Sequence, residues 1–214
     1  MSRESKMLIG ILVVAVGGLV GMFVLANSGA SNTPVGDKTK IIRDTSHKEG
    51  SGAVQVVEYG DYQCPACGVV YPNLKQLMKD YDGKVTFYFR NFPLTSLHPN
   101  ANASANAAEA AANQNKFWEM HDKLYETQKD WSDLASNDAD AKFAGYAKEL
   151  GLDVDKFKKA LADKQFQSVI DQDTADANAM GVNSTPTVYI NGVKTSKNDY
   201  ASLRDTVEAQ LNKK

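Results

Sequence analysis

The hydrophobic and polar positions of this chain change rhythm several times, and each change predicts an element. From Met7 to Ala26, twenty uncharged and mostly apolar residues follow one another without a break, the length of a bilayer-spanning helix and more than a signal-peptide core needs. From Asn27 to about Gly52, Ser, Gly, Asn and charged residues take over, which predicts a flexible tether with Ile41 and Ile42 starting a first strand. Ala53 to Tyr59 is short, apolar and β-branched and predicts a strand ending at Gly60. Beyond it Val70, Leu74, Leu77, Met78 and Tyr81 recur at helical spacing, predicting a helix that Pro72 should kink. Lys84 to Phe92 alternates Val85, Phe87 and Phe89 with more polar neighbours, the pattern of a core strand.

Between Pro99 and Met180 the strand signal disappears. Helices are predicted over Asn100–Thr127, Asp138–Leu150, Asp153 to about Ala162 and Gln165–Met180, with Asp153 as an N-cap and Gly151 and Gly181 as stops. Phe117, Trp118, Met120, Leu124 and Tyr125 fall on one amphipathic face and read as core. Val188, Tyr189 and Ile190 then lead into Asn191-Gly192, the strongest two-residue hairpin signal. Asp199 to Leu211 predicts the last helix.

The chain has 2 cysteines, both in Cys64-Pro65-Ala66-Cys67 at the junction of the first clear strand and its helix. With no other cysteine to staple the fold, the pair reads as a reversible dithiol that exchanges electrons with other molecules. Pro65 suits the first helical position, which puts Cys64 at the N-cap with free backbone N–H groups facing its sulfur. Those donors and the helix dipole favour the thiolate, so Cys64 is the expected nucleophile. Cys67, one turn further in, is the expected resolving thiol. A zinc site would need four ligands, and His47, His98 and His121 are not in paired spacing. A permanent bridge across so short a loop would stabilise weakly. Near the other end, Pro186 precedes a strand where it cannot donate to the ladder, which is tolerable in a special geometry such as a cis turn.

These residues resemble the thioredoxin-fold proteins, and within them the DsbA-like, membrane-anchored thiol-disulfide oxidoreductases. Cys64-Pro65-Ala66-Cys67 is similar to the family's CxxC, and Thr185-Pro186 to its cis-proline dipeptide. Glu58 falls where DsbA-like proteins carry a buried acid. Arg90-Asn91-Phe92-Pro93-Leu94, His98-Pro99, Phe117-Trp118 in an alanine-rich helix and Gly181-Val182 extend the likeness from about Val54 to the C-terminus. The resemblance implies an α/β thioredoxin fold, a central mixed β-sheet with flanking helices, carrying an inserted all-helical subdomain and preceded by one transmembrane helix. It implies Cys64 as nucleophile, Cys67 as resolver, Pro186 in cis beside them and Glu58 as a proton mediator for Cys67. Pro65, Ala66 and Thr185 support the motif. His98 is expected to be structural, at a helix start. Where strongly oxidising members often carry histidine, this chain has Ala66, which cannot donate to a thiolate. No cofactor and no metal are implied.

The net charge of -2 and pI near 5.9 give no electrostatic footprint for nucleic acid. Arg3 and Lys6 precede the apolar run and the first charge after it is Asp37, so residues 1–6 are expected in the cytoplasm and the rest outside the cell membrane. Retention of the anchor is favoured by its length, and cleavage after Ala26 is the alternative. The expected organisation is a transmembrane signal anchor over 7–26, a tether over 27–50, thioredoxin-domain parts over 51–97 and 181–214, and a helical insertion over 98–180. Expected partners are secreted or surface proteins with cysteine thiols and an integral-membrane redox partner, the chain itself acting as a monomer. Disulfide formation is the favoured activity. Reduction or isomerisation by the same dithiol, or client binding without chemistry, are the alternatives.

Overall fold

The computed structural model of the protein describes residues 41–213. The expected anchor, the cytoplasmic residues and the tether up to residue 40 lie outside the described residues. Among those described, no helix is long and apolar enough to cross a membrane.

The centre of the molecule is a five-stranded mixed sheet in the order β1-β3-β2-β4-β5. Strands β2 (Val54–Gly60) and β3 (Val85–Asn91) run parallel, joined by helix α1 (Pro65–Asp80), while β4 (Thr187–Ile190) lies antiparallel on the other side of β2. The Asn191-Gly192 turn, with φ of 47° and 77°, closes the hairpin from β4 to the short β5 (Val193–Lys194). Both residues sit in the left-handed region, as a type I′ turn requires.

One strand is not where the apolar pattern put it. Ile41 and Ile42 form no strand, and Ile41 is instead buried against Val57, Tyr59 and Met180. The edge strand β1 is His47–Gly50, antiparallel to β3, inside the stretch read as tether. Its sequence HKEG is polar because an edge strand buries little. Its anchors are side chains at its start and middle: His47 stacks on Phe117 at 3.5 Å between ring centroids, and the Lys48 carbonyl accepts from Trp118 Nε1 at 3.0 Å. Residues 41–50 therefore belong to the folded domain.

Between β3 and β4 come helices α2 (Ala101–Ala112), α3 (Phe117–Glu126), α4 (Gln128–Trp131), α5 (Ser136–Glu149), α6 (Val154–Ala162) and α7 (Gln167–Ala179). The single helix expected over Asn100–Thr127 is divided. Asn115 adopts φ 60°, and Lys116 N donates back to Ala111 O, a left-handed closure that asparagine tolerates. Asp153 caps α6 by accepting from Lys156 N, as its position predicts. Helix α8 (Tyr200–Leu211) follows the hairpin and is capped by Asp199.

Alternation along β2 divides the core in two. Val54 and Val56 join α1, the aromatic residues of α3 and Leu203 and Val207 of α8 on one face. Val57 and Tyr59 join Phe92, Ala177, Met180 and Tyr189 on the other. Glu58 shares the face of Val56, since strand side chains repeat every second residue. A carboxyl group is thereby built into the larger apolar core.

Candidate active site

Cys64 is the N-cap of α1 and Pro65 its first residue, so the strand turns into the helix directly at the dithiol. Cys67, Val70, Tyr71, Leu74 and Leu77 form the buried stripe that seats the helix on the sheet, and the helix runs unbroken through Pro72. Both cysteines are free thiols. The Cys64 sulfur lies 3.6 Å from the Thr185 carbonyl oxygen, and the Thr185-Pro186 peptide bond is cis. The fold thus brings the two distant motifs side by side.

The two thiols differ sharply. Hydrogen bonding from the Cys67 side chain, at Thr185 and from the backbone at Cys67 and Ala66 outweighs burial and lowers Cys64 to about 5. Ala66 contributes through its backbone. Burial and the hydrogen bond to Cys64, together with the nearby Glu58 charge, push Cys67 well above an ordinary thiol. Cys64 is an anion near neutral pH while Cys67 keeps its proton, the division that thiol exchange requires.

Glu58 is 1% exposed, and its Oε1 has no hydrogen-bond partner. Burial, reinforced by the Cys64 charge, raises it to about 8. A carboxyl group held near neutrality beneath a pair of thiols can take or give a proton at working pH.

Several residues that the sequence did not single out hold the motif in place. Asp61 accepts from Gln63 N, Leu94 N and His98 Nδ1 at 2.8, 2.9 and 2.7 Å. His98 is thus a structural tie just before α2, as expected. Gln63 accepts from Asn100 N at 2.6 Å and donates to the Ser132 carbonyl at 2.7 Å. Gln128 Nε2 donates to the carbonyls of Tyr62 and Cys64 at 2.7 and 2.9 Å. Gly68 leaves room for it, since a Cβ there would come within 2.6 Å of Gln128 Oε1. The helical insertion clamps the CxxC turn through polar side chains, whose roles depend on tertiary partners and leave no periodic trace.

Comparison with known proteins agrees with this geometry. The family model described as Thioredoxin matches residues 49–209. The chain is 34% identical over 170 residues to the probable disulfide bond formation protein D of Bacillus anthracis, covering 75% of each. It is also 40% identical over 151 residues to the Na(+)/H(+) antiporter NhaA 1 of Salinispora arenicola, and it spans 22% of that protein's length. Across the antiporter relatives the span is between 22% and 34%. Among solved structures it is similar to oxidised BdbD of Bacillus subtilis, with TM-score 0.72, 26% identity and coverage of 83% of this chain and 96% of that one. It shares the fold of alpha-DsbA2 of Wolbachia pipientis, with TM-score 0.67 and 24% identity over 81% of this chain and 91% of that one. With the family match running from the edge strand to the last helix, the chain belongs to the thioredoxin family.

Proposed function

We propose that this chain is a thiol-disulfide oxidoreductase that donates disulfides to secreted or surface proteins on the outer side of the cell membrane, held there by the apolar segment 7–26. The observation that carries the direction is the lowering of Cys64 to about 5 beside a Cys67 pushed upward. A thiolate stabilised in the reduced form makes the disulfide form the better oxidant. A substrate thiolate attacks the Cys64 sulfur of the Cys64–Cys67 disulfide, and Cys67 leaves and takes a proton. The substrate's second thiolate then attacks its own sulfur in the mixed disulfide, releasing Cys64 as a stable thiolate. Two electrons pass from the substrate dithiol to the Cys64–Cys67 pair. Glu58 supplies the proton for Cys67, and Pro186 lies beside the reacting sulfur. A disulfide of an integral-membrane partner takes the electrons away. The likeness to disulfide bond formation protein D supports this direction.

The test is to mix the oxidised full chain with a reduced, unfolded disulfide protein. The expected result is stoichiometric disulfide transfer, lost completely in Cys64→Ala, with a trapped covalent adduct in Cys67→Ala. Net reduction of an oxidised client by the reduced chain, with no transfer in the other direction, would overturn the oxidase reading.

A further inference from the structure

Resting on that reading, we propose that His121 is a proton relay between Glu58 and solvent, joined to Glu58 by a single water molecule. Glu58 and His121 line one small cavity between the sheet, α1 and α3, with a volume of about 10 Å³. That is the lower limit for holding one water. Glu58 Oε1 and His121 Nε2 are both buried side-chain atoms without a hydrogen-bond partner. Two unsatisfied polar atoms on residues that line one water-sized space are what an internal water bridges.

The outer half of the path is already connected. His121 is 3% exposed, enclosed by the rings of Tyr62, Phe89, Trp118 and Tyr125, and burial lowers its pKa. Its Nδ1 is 3.2 Å from Asp122 Oδ1, and Asp122 Oδ2 is 2.6 Å from Lys75 Nζ. Burial works against the Asp122 charge, but hydrogen bonds from His121 and Lys75 outweigh it and hold the carboxylate ionised. The neutral ring therefore donates from Nδ1 to Asp122 and leaves Nε2 as a bare acceptor. Asp122 is 26% exposed at its side chain. Tyr71, Lys75 and Met78, which wall the cavity, also line an open surface cleft of about 610 Å³.

When a substrate opens the disulfide, Cys67 takes a proton from the Glu58 carboxyl. The dithiol form holds the Nδ1–H ring, so on reoxidation the water gives a proton to Nε2 while Nδ1 releases its own through Asp122 to solvent, leaving the Nε2–H tautomer. In the inward run Glu58 regains a proton from the water, the water takes one from that Nε2–H, and Nδ1 is reprotonated from solvent through Asp122, which restores the Nδ1–H ring. One proton enters for each disulfide opened, and the same chain runs outward when the pair is reoxidised. Without the relay, Glu58 would depend on rare openings of the core. His121 acts through Glu58 and touches neither sulfur nor substrate.

The experiment measures the single-turnover rate at which the oxidised full chain converts a peptide dithiol to its disulfide, in H₂O and D₂O, for wild type, His121→Gln, Glu58→Gln and the double variant. His121→Gln is expected to slow the step about tenfold and to raise its solvent isotope effect, with the reduction potential unchanged. The double variant should be no slower than Glu58→Gln, because both changes interrupt one path. Asp122→Asn, outside the aromatic nest, should reproduce the isotope effect and carries the test if His121→Gln does not fold. Rates equal to wild type, or losses that multiply in the double variant, would overturn the relay. Failure of the wild-type chain to oxidise the peptide would instead refute the proposed function, so the two failures are distinguishable.

Discussion

Two groups of buried carboxylates lie on opposite faces of one sheet and are treated in opposite ways. On the far face Arg90, 0% exposed, donates to Asp173 at 2.6 Å and to Asp176 at 2.8 Å, and Arg43 also pairs with Asp176. Asp173 accepts further from Asn91 N at 2.9 Å. Hydrogen bonds from Arg43 and Arg90 outweigh burial and lower Asp176 to about 2, while Asp173, deeper, is raised by burial despite Arg90. On the near face Glu58 forms no ion pair among the described residues, and burial raises it to about 8. The far group ties α7 and the segment at Ile41 to the sheet, since Arg90 also donates to the Ile41 carbonyl at 2.9 Å. Charge neutralised in place holds structure together. Charge left without a partner costs stability and stays titratable, which is what proton transfer needs.

The largest expected effect comes from breaking the paired side. Arg90→Met leaves buried Asp173 without its cation and Asp176 with Arg43 alone, and should cost about 3–5 kcal/mol in urea unfolding, with little change in the reduction potential of the dithiol. Loss of potential with no loss of stability would reverse the assignment of the two faces.

Glu58→Gln should do the opposite. Folded Glu58 titrates at about 8 against an ordinary 4.5, so the folded state holds a proton that the unfolded chain releases. Stability is complete below about 4.5 and falls as pH climbs through about 8, so the wild-type reduced form should weaken over that window. The substitution should gain about 1–3 kcal/mol at pH 7 and flatten that part of the pH profile, while slowing exchange. Asp176 has the other sign. Its contribution is present above about 4 and lost as pH falls toward 2, so acid unfolding of wild type and Glu58→Gln should converge there.

The smallest effect belongs to the clamp between the two halves of the molecule. Gln128→Ala removes two donated bonds to the CxxC turn and should cost about 1–2 kcal/mol, with the Cys64 thiolate still titrating at about 5. Hydrogen exchange at Tyr62 to Cys64 is the direct readout, and unchanged protection there would remove Gln128 from the clamp.

How much of this was legible depends on where the signal resides. The strands β2 and β3, the CxxC helix and the Asn191-Gly192 turn carry their signal within a few consecutive residues, and the structure follows them closely. The strand β1 does not. Its four polar residues pair only because β3 offers a free edge, and the apolar Ile41 and Ile42 nearby serve packing instead. Cys64 and Cys67 were legible because they are the only cysteines in the sequence and their chemistry is specific, while the place of Pro186 beside them came from the resemblance. The role of Glu58 came from the resemblance, with the apolar run before it pointing to burial. His121 was not legible, since a histidine among aromatic residues reads as core until a glutamate of the sheet is found lining the same cavity. Gln128 is silent for the same reason, and Arg90 entered only as part of the resemblance, without its carboxylate partners.

The most direct measurement is the reduction potential of the Cys64–Cys67 couple in the full chain, equilibrated with glutathione buffers. Among thioredoxin-fold dithiols a thiolate pKa of about 7 goes with about -270 mV and one of about 3.5 with about -120 mV, so a Cys64 held at about 5 places the couple above about -200 mV. A value in that range makes the protein a donor of disulfides. A value at or below about -270 mV would contradict it and make the same site a reductant.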